Sequence, residues 1–459
     1  MTRYHSVILD DEACKGCTVC VTTCPVEAIR VLEGKARIRA ERCIDCGECI
    51  RRCPHHAKKA LSSELSAALS GDNGIFRVAL PAPSLYGQFP AAQAIERVHA
   101  ALCELGFDAV FPVAAATGPI ARATASFLDR GKHPDLPRPL ISSSCPTIVK
   151  LIQVRFPSLV SHIVPVIAPM ELASTLARAY YETRLGIDPA RIRTTFISPC
   201  PGKITEAIAP ATKTSSIDFV VAMKDVHLPL VQAMKKPAET PAPGFQSPGC
   251  QPPGFPSPEA AEISWGRTGG EGEATVGSDG GPWLSADGMD QCVRILEDAE
   301  NGSLEGIEFL ELMACKEGCV GGALTARNPV VARHTLRERE GTPQYNEAHK
   351  APAREIKDEI LEGLLSTTTA EALTSSAFEP RPALLLDGDY QTAMRMMEEM
   401  QIIEGELPGL DCGCCGAPNC RALAEDIVRG LANKDDCVII LKERYRLLVE
   451  KEKGGSDDR

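Results

Sequence analysis

Two cysteine runs near the start of the chain, CKGCTVCVTTCP (14–25) and CIDCGECIRRCP (43–54), share the spacing C-x2-C-x2-C-x3-C-P. Eight of the 20 cysteines lie in residues 14–53, and five more lie in residues 412–437. Segments this short cannot bury a large apolar core, so bound metal is the leading explanation for their stability. The pattern therefore predicts small metal-stabilised modules at both ends of the chain, with a larger unit between them.

The N-terminal spacing resembles that of bacterial two-cluster ferredoxins, in which the fourth cysteine of each run ligates the other cluster. The resemblance assigns one [4Fe-4S] cluster to Cys14, Cys17, Cys20 and Cys53, and a second to Cys43, Cys46, Cys49 and Cys24. A pair of structural zinc sites is the alternative. Zinc usually takes two CxxC pairs separated by a longer loop, so the spacing favours iron–sulfur clusters.

The C-terminal segment LDCGCCGAPNCRALAEDIVRG resembles a small Fe–S domain of pattern C-G-x-C-G-x-P-x-C, found in electron-transfer assemblies. The resemblance predicts a further [4Fe-4S] cluster held by Cys412, Cys415, Cys420 and Cys437. Cys414 is out of register and is interpreted as a spare thiol. Zinc is a more serious alternative here than in the N-terminal runs.

The middle of the chain alternates strand-like and helix-like segments, which is typical of a parallel sheet packed between helices. FRVALPA (76–82) and TTFISPC (194–200) predict strands, and AAQAIERVHAALCELGF (91–107) places apolar residues at helical spacing. Two strand-like segments end in a cysteine, FISPC and GIEFLELMAC. Ligands are therefore expected at the carboxyl ends of strands.

The predicted fold class is a multidomain α/β protein with a ferredoxin-like dicluster module, a central α/β domain with mainly parallel sheets, and a small helical Fe–S module. The predicted boundaries are 1–72, 73–375 and 385–459. Residues 236–258 are rich in Pro, Gly and Ser, which predicts a disordered insertion that contains an incidental thiol, Cys250.

Composition excludes several classes of partner. A net charge of −12 gives no electrostatic reason to bind nucleic acid, and an aromatic content of 5% supplies few stacking platforms. No apolar run is long enough to span a bilayer, and the N-terminus lacks the features of a secretory signal. We expect a cytoplasmic protein without a membrane span.

Four central cysteines lie in three distinctive segments: Cys145 in SSSCP, Cys200 in SPCPGKITE, and Cys315 with Cys319 in ELMACKEGCVGG. These segments resemble, in the same order, the three signature motifs of the [FeFe]-hydrogenase H-cluster domain: T-S-C-C-P, M-P-C-x-x-K-x-x-E and E-x-M-A-C-x-x-G-C-x-x-G-G. The resemblance covers residues 75 to about 340. Four structural core cysteines are the alternative.

The resemblance implies that these four cysteines hold a [4Fe-4S] cubane and that Cys319 bridges to a two-iron subcluster with CO, cyanide and a dithiolate. It implies that Pro83, Ser84 and Lys203 contact the cyanide ligands, and an ammonium suits a buried anionic ligand. It also implies that Met313 packs against the dithiolate and that Glu206 holds the cluster loop. A surface i,i+3 helix pair is the alternative for Lys203 and Glu206.

The chain departs from the family along the proton path. The family's catalytic members carry a cysteine where this chain has Ser144, and a hydroxyl is a far weaker acid than a thiol. Gln88 stands in LYGQF, where the family has a Gly-Glu-Glu-Phe-like run, and Val164 replaces a relay serine. Ser198 replaces the methionine of M-P-C, and GGALTARNP (321–329) replaces G-G-G-Q-P.

These departures resemble the sensory branch of the family, here without the PAS domain that some members carry. The first interpretation is a slow hydrogenase-type protein that senses hydrogen or redox state and passes electrons to a small redox or signalling protein. The second is a catalytic ferredoxin-linked hydrogenase that uses Ser144 and water as an alternative relay. The third is an electron-transfer protein that never receives the two-iron subcluster. The first two imply hydrogen and protons as substrates and a need for hydrogenase maturation proteins.

Overall fold

The computed structural model describes residues 5–71, 74–208, 215–235, 258–277, 281–341, 363, 373–374, 378–381 and 383–454. The chain divides into two compact units. The first comprises residues 1–6, 44–47 and 61–380, and the second comprises residues 7–43, 48–60 and 381–459.

The first unit contains two parallel sheets among its described residues. The strands of the four-stranded sheet, in chain order, are β5 (Phe76–Pro81), β6 (Ala109–Val110), β8 (Ile192–Ser198) and β9 (Phe219–Ala222). They are arranged in space as β6-β5-β8-β9. The three-stranded sheet has the order β10-β11-β7, with β7 (Leu140–Ile141), β10 (Trp283–Asp287) and β11 (Phe309–Met313).

Helices alternate with these parallel strands along the chain, as the sequence pattern predicts. They are α3 (Leu65–Leu69), α4 (Ile95–Glu104), α5 (Thr117–Leu128), α6 (Pro146–Arg155), α7 (Pro169–Leu185), α8 (Pro201–Ile208), α9 (Met223–Lys235), α10 (Ala260–Ile263), α11 (Gly270–Val276), α12 (Met289–Glu300) and α13 (Pro329–Gly341). Strands β8 and β11 are largely buried, which is typical of parallel strands covered on both faces. Within each sheet the parallel pairing brings the carboxyl ends of the strands to one edge, and Cys200 and Cys315 follow the ends of β8 and β11.

The second unit is built around short elements. Strand β1 (Val7–Leu9) pairs antiparallel with β4 (Lys58–Ala60), and β2 (Ile29–Leu32) pairs antiparallel with β3 (Lys35–Ile38). Its helices are α1 (Val19–Thr22), α2 (Glu48–Arg52), α14 (Tyr390–Glu406), α15 (Cys420–Val428) and α16 (Val438–Gly454).

Cysteines form much of the small cores in this second unit. One core contains Cys14, Cys20 and Cys49. The other contains Cys437 and joins α14 to α15. These cores match the expectation that the end modules depend on metal rather than on apolar volume.

The predicted central strands and helices are confirmed in type, although the helix predicted within 91–107 begins at Ile95 and ends at Glu104. Of the predicted insertion at 236–258, residues 236–257, which include Cys250, lie outside the described residues. No helix in the described part of the chain combines the length and hydropathy that a membrane span needs.

Candidate metal centre

Two of the four central cysteines stand at helix N-termini, directly after strands. Cys145 is the N-cap of α6, which begins with Pro146, and Cys200 directly precedes α8, which begins with Pro201. Proline suits the first helical position because its missing N–H would have no helical partner there. The dipeptide Cys-Pro therefore sets each thiol at the positive end of a helix, where a thiolate is stabilised.

The other two cysteines lie on the glycine-rich loop that follows β11. A Cβ at Gly318, where φ is +86°, would lie 2.6 Å from the Thr268 backbone nitrogen. A Cβ at Gly322 would lie 2.2 Å from the Pro199 carbonyl oxygen, next to Cys200. These glycines are needed because the loop carrying Cys315 and Cys319 passes against two other backbone segments.

The four thiols are close enough to influence one another's ionisation. Burial, together with Cys200, Cys145 and Cys315, raises the pKa of Cys319 well above its ordinary value. Burial and Cys315 raise the pKa of Cys200 to about 12. Such thiols do not ionise together without a compensating cation, and thiolates are the ligands that bind iron in Fe–S clusters. The donor set therefore fits an iron–sulfur cluster.

Lys203 and Glu206 form an ion pair on α8 beside this centre. The Lys203 Nζ lies 2.9 Å from Glu206 Oε2, and only 11% and 17% of their side chains are exposed. Burial alone would lower the pKa of Lys203, but Glu206 and the thiolates of Cys200 and Cys319 raise it. The pair has the i,i+3 spacing of the alternative interpretation but is mostly buried, and Glu206 keeps the Lys203 side chain protonated beside the cysteines.

The predicted cyanide-contacting segment follows the carboxyl end of β5. Pro83 begins a 3₁₀ turn, Pro83–Gln88, and Ser84 is fully buried. Among the described residues, the Ser84 hydroxyl has no hydrogen-bond partner. A buried hydroxyl without a partner is costly, so this position fits a polar group of a bound cofactor. Met313, the last residue of β11, is also buried.

Ser144 contacts a buried carboxyl group that the sequence motifs did not indicate. Glu271 is 2% exposed, and its Oε1 accepts a 2.7 Å hydrogen bond from the Ser142 hydroxyl. The Ser144 nitrogen donates to the Ser142 hydroxyl at 3.1 Å, and the Ser144 side chain lies close enough to Glu271 to offset part of the rise that burial causes in its pKa. Burial raises the pKa of Glu271 and, with the Glu271 charge, that of Glu311. Ser144, Glu271 and Glu311 therefore form a set of exchangeable protons beside Cys145. The sequence feature that could have indicated this residue is the acidic Glu271 within the glycine-rich stretch TGGEGEA.

Glu311 itself is fixed by two backbone donors. Its carboxylate accepts hydrogen bonds from the Gly269 nitrogen at 2.9 Å and the Gly272 nitrogen at 2.8 Å. Arg267 is also nearby and pairs with Glu273 at 2.7 Å, whose side chain is 55% exposed. Arg267 thus lies between the buried carboxyl pair and the exposed carboxylate of Glu273.

Gln88, Val164 and Ser198 are other positions at which the chain departs from the family, and their surroundings differ from those of Ser144. The Gln88 Oε1 accepts hydrogen bonds from the backbone nitrogens of Ala326 and Arg327, so this side chain supports the loop after the last cysteine. Val164 is 1% exposed and apolar. Ser198 donates to the Cys200 carbonyl oxygen at 2.9 Å. Gln88 and Val164 supply no ionisable group beside the centre.

The second unit brings one predicted ligand set to a single cavity. Cys14, Cys17, Cys20 and Cys53 line one cavity, together with Val31 and other residues. Lys58 also lines this cavity, is 3% exposed, and its ammonium has no hydrogen-bond partner among the described residues. A buried ammonium facing four thiols fits an anionic cluster.

The remaining predicted ligands are placed as follows. Cys24, Cys43 and Cys49 belong to the second unit and Cys46 to the first, so their joint role stays a prediction. Cys415 and Cys420 pack against the core that contains Cys437, and Cys412 is exposed. Cys414 is exposed and its thiol lies near the Cys412 carbonyl oxygen.

Comparison with known families agrees with this arrangement. The model described as "Iron only hydrogenase large subunit, C-terminal domain" matches residues 76–279 and 272–323. A 4Fe-4S dicluster domain matches residues 6–54, and an Fe-S cluster family matches residues 407–439. The chain belongs to the iron-only hydrogenase large-subunit family and is a hydrogenase-like iron–sulfur protein.

Individual relatives carry hydrogenase names. The chain is 32% identical over 232 residues to the periplasmic [Fe] hydrogenase large subunit of Nitratidesulfovibrio vulgaris, covering 47% of this chain and 54% of that protein. It is 26% identical over 357 residues to the NADP-reducing hydrogenase subunit HndD of Solidesulfovibrio fructosivorans, covering 68% of this chain and 56% of that protein. It also matches iron hydrogenase 1 of Clostridium pasteurianum at 26% identity over 220 residues, covering 47% of this chain and 34% of that protein. The chain thus spans only part of the length of the curated relatives it matches.

Solved structures share the fold. An [FeFe]-hydrogenase HydA studied for stepwise H-cluster assembly superposes with a TM-score of 0.51 at 18% identity, covering 70% of this chain and all of that chain. A variant of HydA1 from Chlamydomonas reinhardtii gives a TM-score of 0.50 at 19% identity, with the same coverage. At this identity the likeness establishes the fold of the central unit.

Proposed function

We propose that this chain is a low-turnover hydrogen or redox sensor that passes electrons between an H-cluster and accessory [4Fe-4S] clusters. The observation that carries the proposal is the pairing of a four-cysteine centre with Ser144, rather than a thiol, beside Cys145. The metal ligands of the family are present, while the neighbouring proton donor is a weak acid.

In this proposal the chain's own residues hold and orient the cofactor. Cys145, Cys200, Cys315 and Cys319 supply the thiolates. Pro83, Ser84, Lys203 and Met313 would contact the two-iron subcluster, and Glu206 would hold Lys203 through their ion pair. When bound, the H-cluster supplies the metal site at which protons and electrons are exchanged with hydrogen. Because Glu206 raises the pKa of Lys203, the Lys203 ammonium would stay protonated and could donate a hydrogen bond to this anionic group.

Proton movement in this proposal runs through Ser144 and the carboxyl pair. A carboxyl group whose pKa is raised toward neutrality both accepts and releases a proton at working pH. Glu271 therefore exchanges protons with Ser144, and Glu311 exchanges protons with Glu271. Proton transfer from the Ser144 hydroxyl is the slowest of these steps, because the intrinsic acidity of a hydroxyl is low.

A second candidate function is a catalytic ferredoxin-linked hydrogenase. The contact between Ser144 and Glu271 favours it, because a buried carboxyl group supplies a relay that the motif comparison lacked. The two candidates differ in whether the Ser144 step limits the rate.

The test has two parts, both with the full chain matured in a competent host. First, infrared absorption by bound CO and cyanide reports whether the two-iron subcluster is installed. The bands are expected, and their absence would favour an electron-transfer protein without that subcluster. Second, hydrogen turnover is compared between the wild type and Ser144→Cys.

We expect Ser144→Cys to raise turnover about 100-fold or more, the range that a positioned acid–base group contributes. The matched control is Ser143→Cys, because the Ser143 hydroxyl donates to the Val166 carbonyl oxygen at 2.8 Å instead. An unchanged rate in Ser144→Cys, or wild-type turnover equal to that of fast catalytic hydrogenases, contradicts the sensor proposal.

The proposal implies further requirements. Hydrogen and protons are the small-molecule substrates, hydrogenase maturation proteins install the two-iron subcluster, and a small redox or signalling protein exchanges electrons or information with the chain. Cytoplasmic location is part of the same proposal.

A further inference from the structure

Buried ion pairs join helix α15, in the C-terminal part of the chain, to the ferredoxin-like residues of the second unit. Arg30 makes two hydrogen bonds to Asp426, at 2.5 and 3.2 Å, and Arg39 adds a third at 2.5 Å. Arg30 is 3% exposed and Asp426 is 5% exposed. Paired carboxylates and guanidinium groups at this burial keep a fixed geometry, because separating them leaves uncompensated charges.

A second buried pair lies one residue away on the same helix. Glu425 accepts hydrogen bonds from Arg42 and, at 2.8 Å, from Arg429. Asn419, the N-cap of α15, donates to Glu27 at 2.6 Å. The helix that begins with Cys420 is therefore fixed along its length against residues 27–42.

The loop before this helix makes direct backbone contact with the cavity of the first ferredoxin-like cluster. The Val31 nitrogen donates to the Gly416 carbonyl oxygen at 2.9 Å. Val31 also lines the cavity of Cys14, Cys17, Cys20 and Cys53. Gly416 directly follows Cys415, so one hydrogen bond connects a predicted C-terminal ligand to the wall of that cavity.

The contact is so close that only glycine fits. A Cβ at Gly416 would lie 2.2 Å from the Val31 carbonyl oxygen, and φ at this residue is +85°. The C-terminal loop therefore approaches the cluster cavity at backbone distance, with no side chain between them at this point.

We infer that the C-terminal cluster is the direct electron-transfer neighbour of the first ferredoxin-like cluster and that electrons pass between them across the Gly416–Val31 contact. This inference rests on the proposed function for the presence of the clusters. Tunnelling falls steeply with distance and is more efficient through covalent and hydrogen bonds than across a gap. Arg30, Arg39 and Arg42 are positioning residues for this contact, because their ion pairs hold α15 in place.

The step is a single electron transfer. The reduced C-terminal cluster loses one electron and is oxidised, and the cluster of Cys14, Cys17, Cys20 and Cys53 gains that electron and is reduced. No bond forms or breaks, and no proton moves. A low-potential one-electron donor, dithionite in the test below, supplies the electron.

The test uses the full-length holoprotein and Gly416→Ala. Iron and sulfide content are measured first, followed by electron paramagnetic resonance of the dithionite-reduced protein. Two reduced clusters in close contact broaden and split each other's signals. The two ferredoxin-like clusters also interact with each other, so the readout is the splitting of the C-terminal cluster's own signal. We expect this splitting in the wild type and its loss in Gly416→Ala, with iron content retained.

The matched control is Gly409→Ala. Gly409 also has a positive φ, +65°, but a Cβ there would meet nothing within 4 Å. The control therefore carries the same kind of backbone strain without displacing Val31, and it should keep the interaction signal. If Gly416→Ala loses its cluster, Asp426→Asn is the second variant, because it weakens the Arg30 and Arg39 pairs without changing the loop.

The inference is contradicted if Gly416→Ala or Asp426→Asn retains the wild-type spin interaction. It is also contradicted if the C-terminal module holds zinc, as metal analysis would reveal. These readouts concern the accessory clusters alone. Absence of CO and cyanide bands would therefore defeat the sensor proposal and leave this inference intact.

Discussion

At the scale of single residues, the surroundings of Ser144 define what is unusual about this protein. The hydroxyl next to Cys145 faces Glu271, and Glu271 lies beside Glu311 in a buried pair. Both carboxyl groups have raised pKa values because burial penalises their charged forms. The chain thus has a weak proton donor, Ser144, next to Cys145, and two carboxyl groups that exchange protons more readily, Glu271 and Glu311, beyond Ser144.

The raised pKa of Glu271 leads to a prediction for stability against pH. Burial raises this pKa from 4.5 to about 7, so the fold favours the protonated form. The associated stability is fully present below about pH 4.5 and is lost as pH rises through about 7, with a limit of about 3 kcal/mol. We expect Glu271→Gln to show a smaller loss of unfolding free energy between pH 5 and pH 8 than the wild type, measured by urea unfolding.

The control for this prediction is Glu305→Gln, at an exposed position on the loop before β11. It should follow the wild-type pH dependence. Parallel curves for Glu271→Gln and the wild type would show that Glu271 does not titrate in this window.

At the scale of elements, one carboxylate connects the two helices that follow Cys145 and Cys200. Asp45 is 1% exposed and accepts hydrogen bonds from Lys150 on α6 at 2.5 Å and from Thr205 on α8 at 2.7 Å. The Ser6 nitrogen donates to it at 2.9 Å, and the Ser6 hydroxyl donates to the Pro201 carbonyl oxygen at 2.8 Å. Asp45 lies in the sequence between the predicted cluster ligands Cys43 and Cys46. Its hydrogen bonds therefore fix α6 and α8, the helices that follow Cys145 and Cys200.

Asp45→Asn is expected to lower the unfolding free energy by about 3–5 kcal/mol, because it removes one partner of a buried ion pair, the carboxylate that Lys150 contacts. The matched control is Asp11→Asn, whose carboxylate pairs with Arg37 at the surface, with side chains 60% and 51% exposed. Removing an exposed pair should change the unfolding free energy by about 1 kcal/mol or less. Urea unfolding followed by circular dichroism measures both variants, and equal midpoints would refute the role of Asp45.

At the scale of the whole molecule, the two units depend on metal to different degrees. The first unit contains two parallel sheets and many fully buried aliphatic and aromatic side chains. Among its described residues, the second has two small cores, one containing Cys14, Cys20 and Cys49 and the other containing Cys437. The free energy of folding the second unit should therefore come largely from bound clusters.

Removing iron with a chelator under reducing conditions is expected to unfold the second unit and leave the first folded. Hydrogen exchange measured by mass spectrometry should show lost protection in peptides from residues 14–42 and 400–437. Peptides from residues 76–82 and 192–198 should keep theirs, because their strands lie inside a large apolar core. Reconstitution with iron and sulfide should restore the lost protection, and simultaneous unfolding of both units would contradict the prediction.

Much of the fold and part of the centre could be predicted from the sequence. The alternating pattern gave the parallel architecture, and the strand-then-cysteine segments located Cys200 and Cys315 at strand ends. The pattern gave no sign that residues 381–459 group with residues 7–43 in one unit. That grouping depends on pairs such as Arg30 with Asp426, which are 396 positions apart, and charged residues carry no local signal of a distant partner.

Cysteine spacing and Cys-Pro dipeptides by themselves determined the kind of metal chemistry and the helix ends that present Cys145 and Cys200, because ligand spacing and helix capping are local properties. Only the tertiary structure decided that Glu271 reaches Ser144 and that Gly416 contacts Val31. Those contacts join segments far apart in the chain. Burial, which sets the pKa of Glu271, exists only once the chain has folded.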